Sequence, residues 1–263
     1  MPIAPDQLRR MLEQTLVPPD KVVELDPDTI SSTTGRLGSL RGNLAERYQL
    51  NSCLTQGRWA RLADQESAST IEEFYFTTAA DGYDQLLSDQ SRWALPFKSA
   101  PSWVSETFLP LTSSPAMTSA MYSADLLVAF DSALWKVVPN RPGLQFEGSW
   151  SPELMRQATS AVPTLAANEP EPMGLVCIIG NLARASYLSG DRAFRQSAIS
   201  CGLILGQILA VLATITCEAR FTWTSQFIDY LVNDASRCDG VERGVQIMGI
   251  VEMSDKDEKE VRQ

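Results

Sequence analysis

The sequence predicts an α+β fold, because strand-like and helix-like segments both occur in its second half. Four apolar or β-favouring runs are predicted strands, at 124–130, 134–138, 173–182 and 244–253. The run 173–182 is continuously apolar, as expected for a strand buried on both faces of a sheet, and 244–253 is predicted to be a last buried strand. Three segments have helical patterns, at 151–162, 189–215 and 224–234. We therefore expect a sheet flanked by helices, one of them much longer than the others.

The first half of the chain shows weaker patterns of secondary structure. Residues 5–16 form an amphipathic pattern and 40–50 are also predicted to be helical. Residues 70–90 fit either a helix or a strand, and the Pro-, Ser- and Thr-rich stretch 96–123 is predicted to be mostly loop. The chain is divided accordingly into an N-terminal helical segment, a main domain and a charged tail, at 1–50, 51–253 and 254–263.

Composition narrows the function classes. The 263 residues carry a net charge of −10, which disfavours general nucleic-acid binding. The N-terminal stretch "MPIAPDQLRRMLEQTL" has no apolar core behind a basic start, so no signal peptide is predicted. The five cysteines form no C-x-x-C pair, which suits a reduced cytoplasmic protein.

The chain contains no histidine. This excludes histidine-based catalytic triads and histidine-ligated metals, and no metal site is predicted. Proton transfer is left to Asp, Glu, Lys or Tyr, or to a cofactor or the substrate.

The long segment "SGDRAFRQSAISCGLILGQILAVLATI" allows three interpretations. It is long enough to span a membrane, but Ser200, Gln207 and Thr214 interrupt it and we discard that interpretation. It also fits a plain core helix. The third interpretation is a dimer spine, because small residues recur every fourth position, at Ala198, Gly202, Gly206 and Ala210. The opposite face is predicted to carry Leu203, Leu205, Leu209 and Leu212.

The order of elements resembles the nitroreductase-like flavoproteins, and within them the SagB-type azoline dehydrogenases of peptide natural-product pathways. The resemblance lies in "GLVCIIGNLARASYLSGDRAFRQSAISCGLILGQILAVLATI", a buried strand and an Arg-containing link before a long helix. The start "GDRAFR" is similar to the family's G-x-R-x-Y-R, and "LAERYQLNSCL" is similar to its Y-H-x-x-S segment.

The resemblance implies a mixed sheet flanked by helices, subunits packed through their long helices, and FMN at the dimer interface. The implied reaction is oxidation of a thiazoline or oxazoline in a ribosomal peptide to the azole, with a cyclodehydratase complex as a partner. Candidate cofactor-binding residues are Arg58, Arg61, Ser113, Ser114, Arg192 and Arg195. Tyr187 and Ser189 are the candidate catalytic residues, with Tyr122 and Lys136 as further groups to test.

Two departures from the family pattern open an alternative. Leu188 and Ser189 stand where a Lys-Tyr pair is usual, and the loop 110–119 lacks glycine and arginine. The chain is thus either an active FMN-dependent oxidoreductase or a degenerate subunit. A degenerate subunit would pair with an active flavin dehydrogenase as a heterodimer or scaffold a peptide-modifying complex.

Overall fold

The structure is a computed structural model that describes residues 65–160, 172–189, 192–215, 218–225, 227, 229–240 and 242–253. The predicted helices at 5–16 and 40–50, the charged tail, and the candidate ligands Arg58 and Arg61 lie outside these residues. Elements are numbered below in chain order over the described part.

A seven-stranded sheet forms the centre, in the order β1-β4-β3-β2-β5-β7-β6. Its strands are Ala94–Pro96 (β1), Ala124–Phe130 (β2), Ala133–Val137 (β3), Gly143–Ser149 (β4), Gly174–Asn181 (β5), Ala219–Thr224 (β6) and Arg243–Met253 (β7). Every described pairing is antiparallel, whereas the resemblance implied a mixed sheet. The α+β class is confirmed, as are the four predicted strands, which correspond to β2, β3, β5 and β7.

Strands β2 and β5 are buried along their whole length, because helices cover both faces of the sheet. On one face Leu126, Val128 and Ile178 pack in a core with the long helix, while on the other Leu127 and Ile179 belong to a second core. Alternate residues of one strand therefore serve two cores, which explains why these runs are continuously apolar.

The helices are Gln65–Ser88 (α1), Ser102–Phe108 (α2), Pro115–Ser123 (α3), Pro152–Ser160 (α4), Leu182–Ser189 (α5), Ala193–Leu212 (α6) and Asp229–Ala235 (α7). Short 3-10 helices cover Phe97–Ser99 and Leu109–Ser113. Residues 70–90, which fitted a helix or a strand, fall mainly in α1. The predicted helix at 151–162 is α4, capped by the Ser151 hydroxyl, which accepts from the Leu154 amide at 3.1 Å.

The prediction of a loop over 96–123 was wrong. Its prolines lie at the starts of helices: Pro101 precedes α2, Pro110 is the second residue of a 3-10 helix and Pro115 is the first residue of α3. Proline is tolerated at a first turn, where its missing amide hydrogen has no helical partner. Trp103 and Phe108, both buried, then anchor the segment in the core. The composition of residues 96–123 predicted a loop, whereas the burial of these aromatic side chains stabilises helices there.

The predicted helix at 224–234 was also displaced. Residues 219–224 form the edge strand β6, and α7 begins only at Asp229. Strand β6 pairs with β7 along its whole length, from Ala219 opposite Met253 to Thr224 opposite Met248. Its β-branched and aromatic residues favour this strand, and Trp223 lies over Gly249, which has no side chain to obstruct the ring.

Candidate functional site

The site centres on Asp125, the single carboxylate inside the apolar strand β2. Asp125 is 1% exposed, and its Oδ1 lies 2.8 Å from both Lys136 Nζ and Arg184 Nη2. Its Oδ2 accepts from Asn181 Nδ2 at 3.3 Å and lies 3.3 Å from Arg243 Nε. We call these residues, with Glu147, the Asp125 cluster. It joins strands β2, β3, β4, β5 and β7 with helix α5 at one end of the sheet.

Arg184 holds the start of α5 against the end of α3. Its Nε donates to the Tyr122 carbonyl at 2.7 Å and its Nη2 to the Ala124 carbonyl at 3.3 Å. Asn181 caps α5, because its Oδ1 accepts from the Arg184 backbone amide at 2.9 Å. The guanidinium also lies 4.6 Å from the centre of the Tyr75 ring. These contacts fix the position of the arginine on three sides.

Arg243 opens strand β7 and connects the two carboxylates of the cluster. Its Nη2 donates to Glu147 Oε1 at 2.8 Å. Its Nε is near Asp125 but is not aligned for a hydrogen bond, and this buried atom has no hydrogen-bond partner among the described residues. The contact with Asp125 is therefore electrostatic.

The charges of the cluster are strongly coupled. Burial raises the pKa of Asp125, but Lys136, Arg184 and Arg243 outweigh this effect and hold its pKa far below the ordinary value. Burial lowers the pKa of Lys136, and the adjacent Asp125 more than compensates, so its pKa is raised. Lys136 is therefore protonated near neutral pH and is excluded as a general base.

Three tyrosines adjoin the cluster. The Tyr75 ring packs edge-on against Tyr122, with ring centres 5.7 Å apart. Burial, with smaller contributions from Glu72, Tyr187 and Tyr75, raises the pKa of Tyr122 well above that of a free phenol despite the opposing effect of Arg184. Tyr122 thus keeps its proton at neutral pH. Of the groups predicted from sequence, Lys136 belongs to the cluster, Tyr122 accepts a hydrogen bond from Arg184 through its carbonyl, and Tyr187 is close enough to Tyr122 to affect its pKa.

The predicted cofactor ligands are not all in one place within a single chain. Ser114 caps α3, where its hydroxyl accepts from the Met117 amide at 3.3 Å and donates to Gln207 Oε1 of α6 at 3.1 Å. Ser113 is exposed beside it. Arg195 lies in the first turn of α6. Twelve residues separate it from Gln207, or about 18 Å along the helix axis.

The remaining predicted residues lie around the junction of α5 and α6. Tyr187 and Ser189 are half-buried in the last turn of α5, and Arg192 is the half-buried N-cap residue of α6. Sequence reasoning missed the centre of the site, Asp125, and its partner Arg243. The available signal was an aspartate in "ADLLVAF", since a buried carboxylate in an apolar strand requires cationic partners.

The long helix α6 has one buried face and one exposed apolar face. Its inner side packs on β5, α3 and α5 through Ala193, Ser197, Ser200, Cys201, Ile204 and Ile208. At Gly180 of β5 the approach is so close that an added Cβ would meet Ser197 Oγ at 2.5 Å. Among the described helices, this one alone has the length and apolarity of a membrane span. Only 28% of its most apolar 18-residue stretch is buried within the protein.

The outer face of α6 carries the predicted stripe of small residues. Ala198, Gly202, Gly206 and Ala210 are all exposed, and a Cβ added to either glycine would meet no described atom within 4 Å. Leu203 and Leu209, predicted for the opposite face, are 47% and 45% exposed on this same side, because they adjoin Gly202 and Gly206 around the helix. Leu205 and Leu212 are half-buried against the core. The spacing was right, but the assignment of faces was wrong.

No metal centre emerges from the described residues, where no group of three or more Cys, Asp or Glu side chains is arranged to hold an ion. The described cysteines are the free thiols Cys177, Cys201 and Cys238. Burial raises the pKa of Cys201 to about 12 and that of Cys238 to about 11, so both stay protonated at neutral pH. Thiolate chemistry is excluded at these two positions.

Comparison with known proteins gave structural likenesses only, since no protein-family model and no curated protein sequence matches the chain. The E. coli microcin synthetase McbBCD complex with truncated pro-MccB17 bound contains a chain of TM-score 0.48 and 11% identity, over 58% of this chain and 63% of that one. A protein named as a nitroreductase from Anabaena variabilis has a TM-score of 0.46 and 16% sequence identity, over 60% of this chain and 38% of that one. A protein named as a nitroreductase from Ralstonia eutropha has a TM-score of 0.46 and 8% sequence identity, over 60% of this chain and 74% of that one. At TM-scores below 0.5, these likenesses leave the function to be argued from the site itself.

Proposed function

We propose that the chain is one subunit of a flavin-dependent oxidoreductase of the SagB type, and that it forms a dimer through the outer face of α6. The observation that carries this proposal is that exposed face. It joins large apolar side chains to a stripe of small residues on which a second backbone can approach closely. A protein partner covers such a face better than lipid, because the same helix packs its other side against a sheet.

The stripe of small residues on α6 also favours one way of packing two copies of the helix. Ala198, Gly202, Gly206 and Ala210 are symmetric about position 204. Two copies packed antiparallel about that point would match Ala198 with Ala210, and Gly202 with Gly206. Antiparallel packing also opposes the two helix dipoles and keeps the Arg192 and Arg195 ends of the two copies apart. We infer a two-fold axis through the middle of α6.

This geometry would unite the predicted cofactor ligands. Arg195 of the second copy would stand opposite position 213, about 9 Å along the axis from Gln207 and its partner Ser114. An arginine side chain can bridge much of that gap. Ser113, Ser114 and the first turn of α3 from one copy, with Arg192 and Arg195 from the other, offer the hydroxyl, amide and guanidinium donors that a phosphate prefers. We therefore propose that FMN binds between the two copies of the chain.

Bound FMN supplies a two-electron acceptor for oxidation of an azoline ring. The residues of the chain have to orient the peptide and accept one proton. Lys136 and Tyr122 are excluded as bases by their raised pKa values. Tyr187 remains, half-buried and three residues from Arg184, so that both side chains lie on one side of α5. We propose that Tyr187, in its deprotonated phenolate form, accepts the proton that the azoline loses and becomes the neutral phenol. Ser189 is proposed as a hydrogen-bond donor to the peptide.

The second candidate function is a degenerate subunit that completes the flavin site of an active partner. The observation that favours it is that polar side chains which could bind flavin or substrate already bind other groups of the protein. Ser114 caps a helix and bonds Gln207, while Lys136 and Arg184 bind Asp125. Such a chain would retain the α6 surface but supply few groups to the chemistry. A heterodimer or a scaffold in a peptide-modifying complex would result.

The visible absorbance spectrum of the purified protein tests both candidates. Flavin bands near one FMN per chain, with azole formation from a thiazoline peptide, are expected for the oxidoreductase. Tyr187→Phe should then abolish turnover and leave the flavin spectrum intact, with the exposed Tyr230→Phe as the matched control.

The other outcomes separate the alternatives. A colourless chain that becomes yellow only with a second, nitroreductase-like subunit would establish the degenerate partner. A colourless dimer that rejects added FMN, alone and with such a subunit, would contradict both candidates. A membrane association would appear as recovery in the detergent-extracted fraction and would contradict the α6 dimer.

A further inference from the structure

The Asp125 cluster carries more positive than negative charge. Lys136, Arg184 and Arg243 are paired with the carboxylates of Asp125 and Glu147, so that the ion pairs of the cluster contain one more cation than anion. Two further carboxylates lie nearby, Glu72 close to Tyr122 and Asp239 at the backbone amide of Arg243. Glu147 and the three cationic side chains are only 18–23% exposed. A poorly solvated excess charge is unfavourable unless a counter-charge joins it. The direct ion pairs of the cluster therefore leave its cationic side chains able to pair with a further anion.

Several hydrogen-bond donors around Asp125 are also unused. Lys136 Nζ contacts only Asp125 Oδ1 among the described atoms, so two of its three hydrogens are available. The Nη1 atoms of Arg184 and Arg243 have no described acceptor. The buried Tyr75 hydroxyl likewise has no hydrogen-bond partner in the described structure. These groups can all donate, which is the complement of an oxygen anion.

The spacing of the donors suits one small anion. Lys136 Nζ and Arg184 Nη2 both lie 2.8 Å from the same oxygen of Asp125, so they are at most about 5.6 Å apart. An oxyanion that accepts from each at an ordinary distance spans that gap. Asp125 then acts as the fixed centre that holds the cations in place for a ligand on their other side.

We propose that the Asp125 cluster is a binding site for one oxyanion, of the phosphate or carboxylate class, that is bound through Lys136, Arg184 and Arg243. The site depends neither on flavin nor on the α6 dimer. It gives the chain a recognition point for an anionic group of a cofactor or of a peptide substrate.

Thermal unfolding in inorganic phosphate tests the proposal. Phosphate is titrated at pH 7 with sodium chloride added to constant ionic strength, and the melting temperature Tm is followed. The wild type should show a saturating rise in Tm, because a ligand bound only by the folded state stabilises it. Lys136→Met should weaken the apparent phosphate affinity about tenfold or more. Lys98→Met, at an exposed lysine, is the matched control and should behave as wild type.

A gain-of-affinity variant keeps the test informative even if Lys136→Met does not fold. Glu147→Gln removes one carboxylate from the cluster and should tighten phosphate binding. An equal, non-saturating rise in all variants would be the general salting effect of phosphate and would overturn the proposal. So would a wild-type response that matches chloride alone.

Competition identifies the source of the anion. Loss of the phosphate response in the presence of FMN would support a cofactor phosphate at the cluster and would contradict its proposed placement between Ser114 and Arg195 of two copies. A saturating response to acetate that Lys136→Met removes would support a peptide carboxylate. Because the phosphate titration needs neither flavin nor a dimer, its failure is distinct from failure of the oxidoreductase proposal.

Discussion

At the scale of single residues, Asp125 is the position on which the site depends most. It accepts from or pairs with four side chains at the end of the sheet, from β3, β5, α5 and β7. Removing its charge leaves three poorly solvated cations facing the single carboxylate of Glu147. Breaking a buried ion pair from one side is far more damaging than losing an exposed one.

We expect Asp125→Asn to lower the free energy of unfolding by about 3–5 kcal/mol, because the amide keeps the shape but not the charge. Urea denaturation monitored by tryptophan fluorescence measures the change. The control is Asp84→Asn, which breaks the solvent-exposed pair with Arg141 and should leave the midpoint nearly unchanged. Equal destabilisation by the two variants would show that the Asp125 cluster contributes no more than a surface ion pair.

The same residue should make stability sensitive to acid. The pKa of Asp125 in the folded protein is held far below the unfolded value of about 3.9. Its contribution is therefore fully present above that value and is lost as the pH falls towards the folded pKa. The difference in unfolding free energy between wild type and Asp125→Asn should shrink from pH 7 to pH 3. A constant difference in urea titrations at pH 7, 5 and 3 would contradict the ion-pair account.

At the scale of elements, helix α6 has two faces with different roles. Its inner face is committed to β5, α3 and α5, whereas its outer face carries exposed residues such as Ile199 and Leu203. An exposed leucine in a monomer tolerates polar substitution with little effect. In a dimer the same leucine is buried in the interface, and the substitution weakens association.

We therefore expect Leu203→Gln to leave the far-ultraviolet circular dichroism unchanged and to shift the protein towards a monomer by at least about tenfold in dissociation constant. Concentration-dependent light scattering measures the shift. Tyr230→Ser, at a residue 74% exposed on α7, is the control and should not affect association. If both variants remain as dimeric as wild type, then α6 is not the interface.

The elements also show how far the sequence could predict the structure. The strands β2 and β5 were predictable because burial on both faces produces apolar runs. The strands β3 and β7, which are only partly buried, were predictable from their β-favouring residues. The helices within 96–123 were not, because proline marks a first turn as readily as a break. The Asp125 cluster was not predictable as a unit, since Arg184 lies 59 residues from Asp125 in sequence and only the sheet brings them together.

At the scale of the whole molecule, the account rests on association through α6. Within one chain about 18 Å of helix α6 separates Arg195 from Gln207, the hydrogen-bond partner of Ser114, whereas the proposed antiparallel pair would bring Arg195 of one copy closer to Ser114 of the other. The net charge of −10 adds repulsion between copies at low salt. The apolar α6 face would have to overcome that repulsion, so moderate salt should favour the dimer.

Sedimentation equilibrium of the wild type beside Gly206→Leu tests the central claim most directly. Gly82→Leu, at a helical glycine of α1 whose added Cβ also meets no described atom within 4 Å, is the matched control. We predict a wild type and a Gly82→Leu variant at twice the monomer mass of 29.0 kDa, and a folded, monomeric Gly206→Leu, because the new side chain fills the stripe on which the second helix packs. A Gly206→Leu protein that sediments as the wild type does, or a wild type that is monomeric in the absence of a second subunit, would contradict the α6 homodimer.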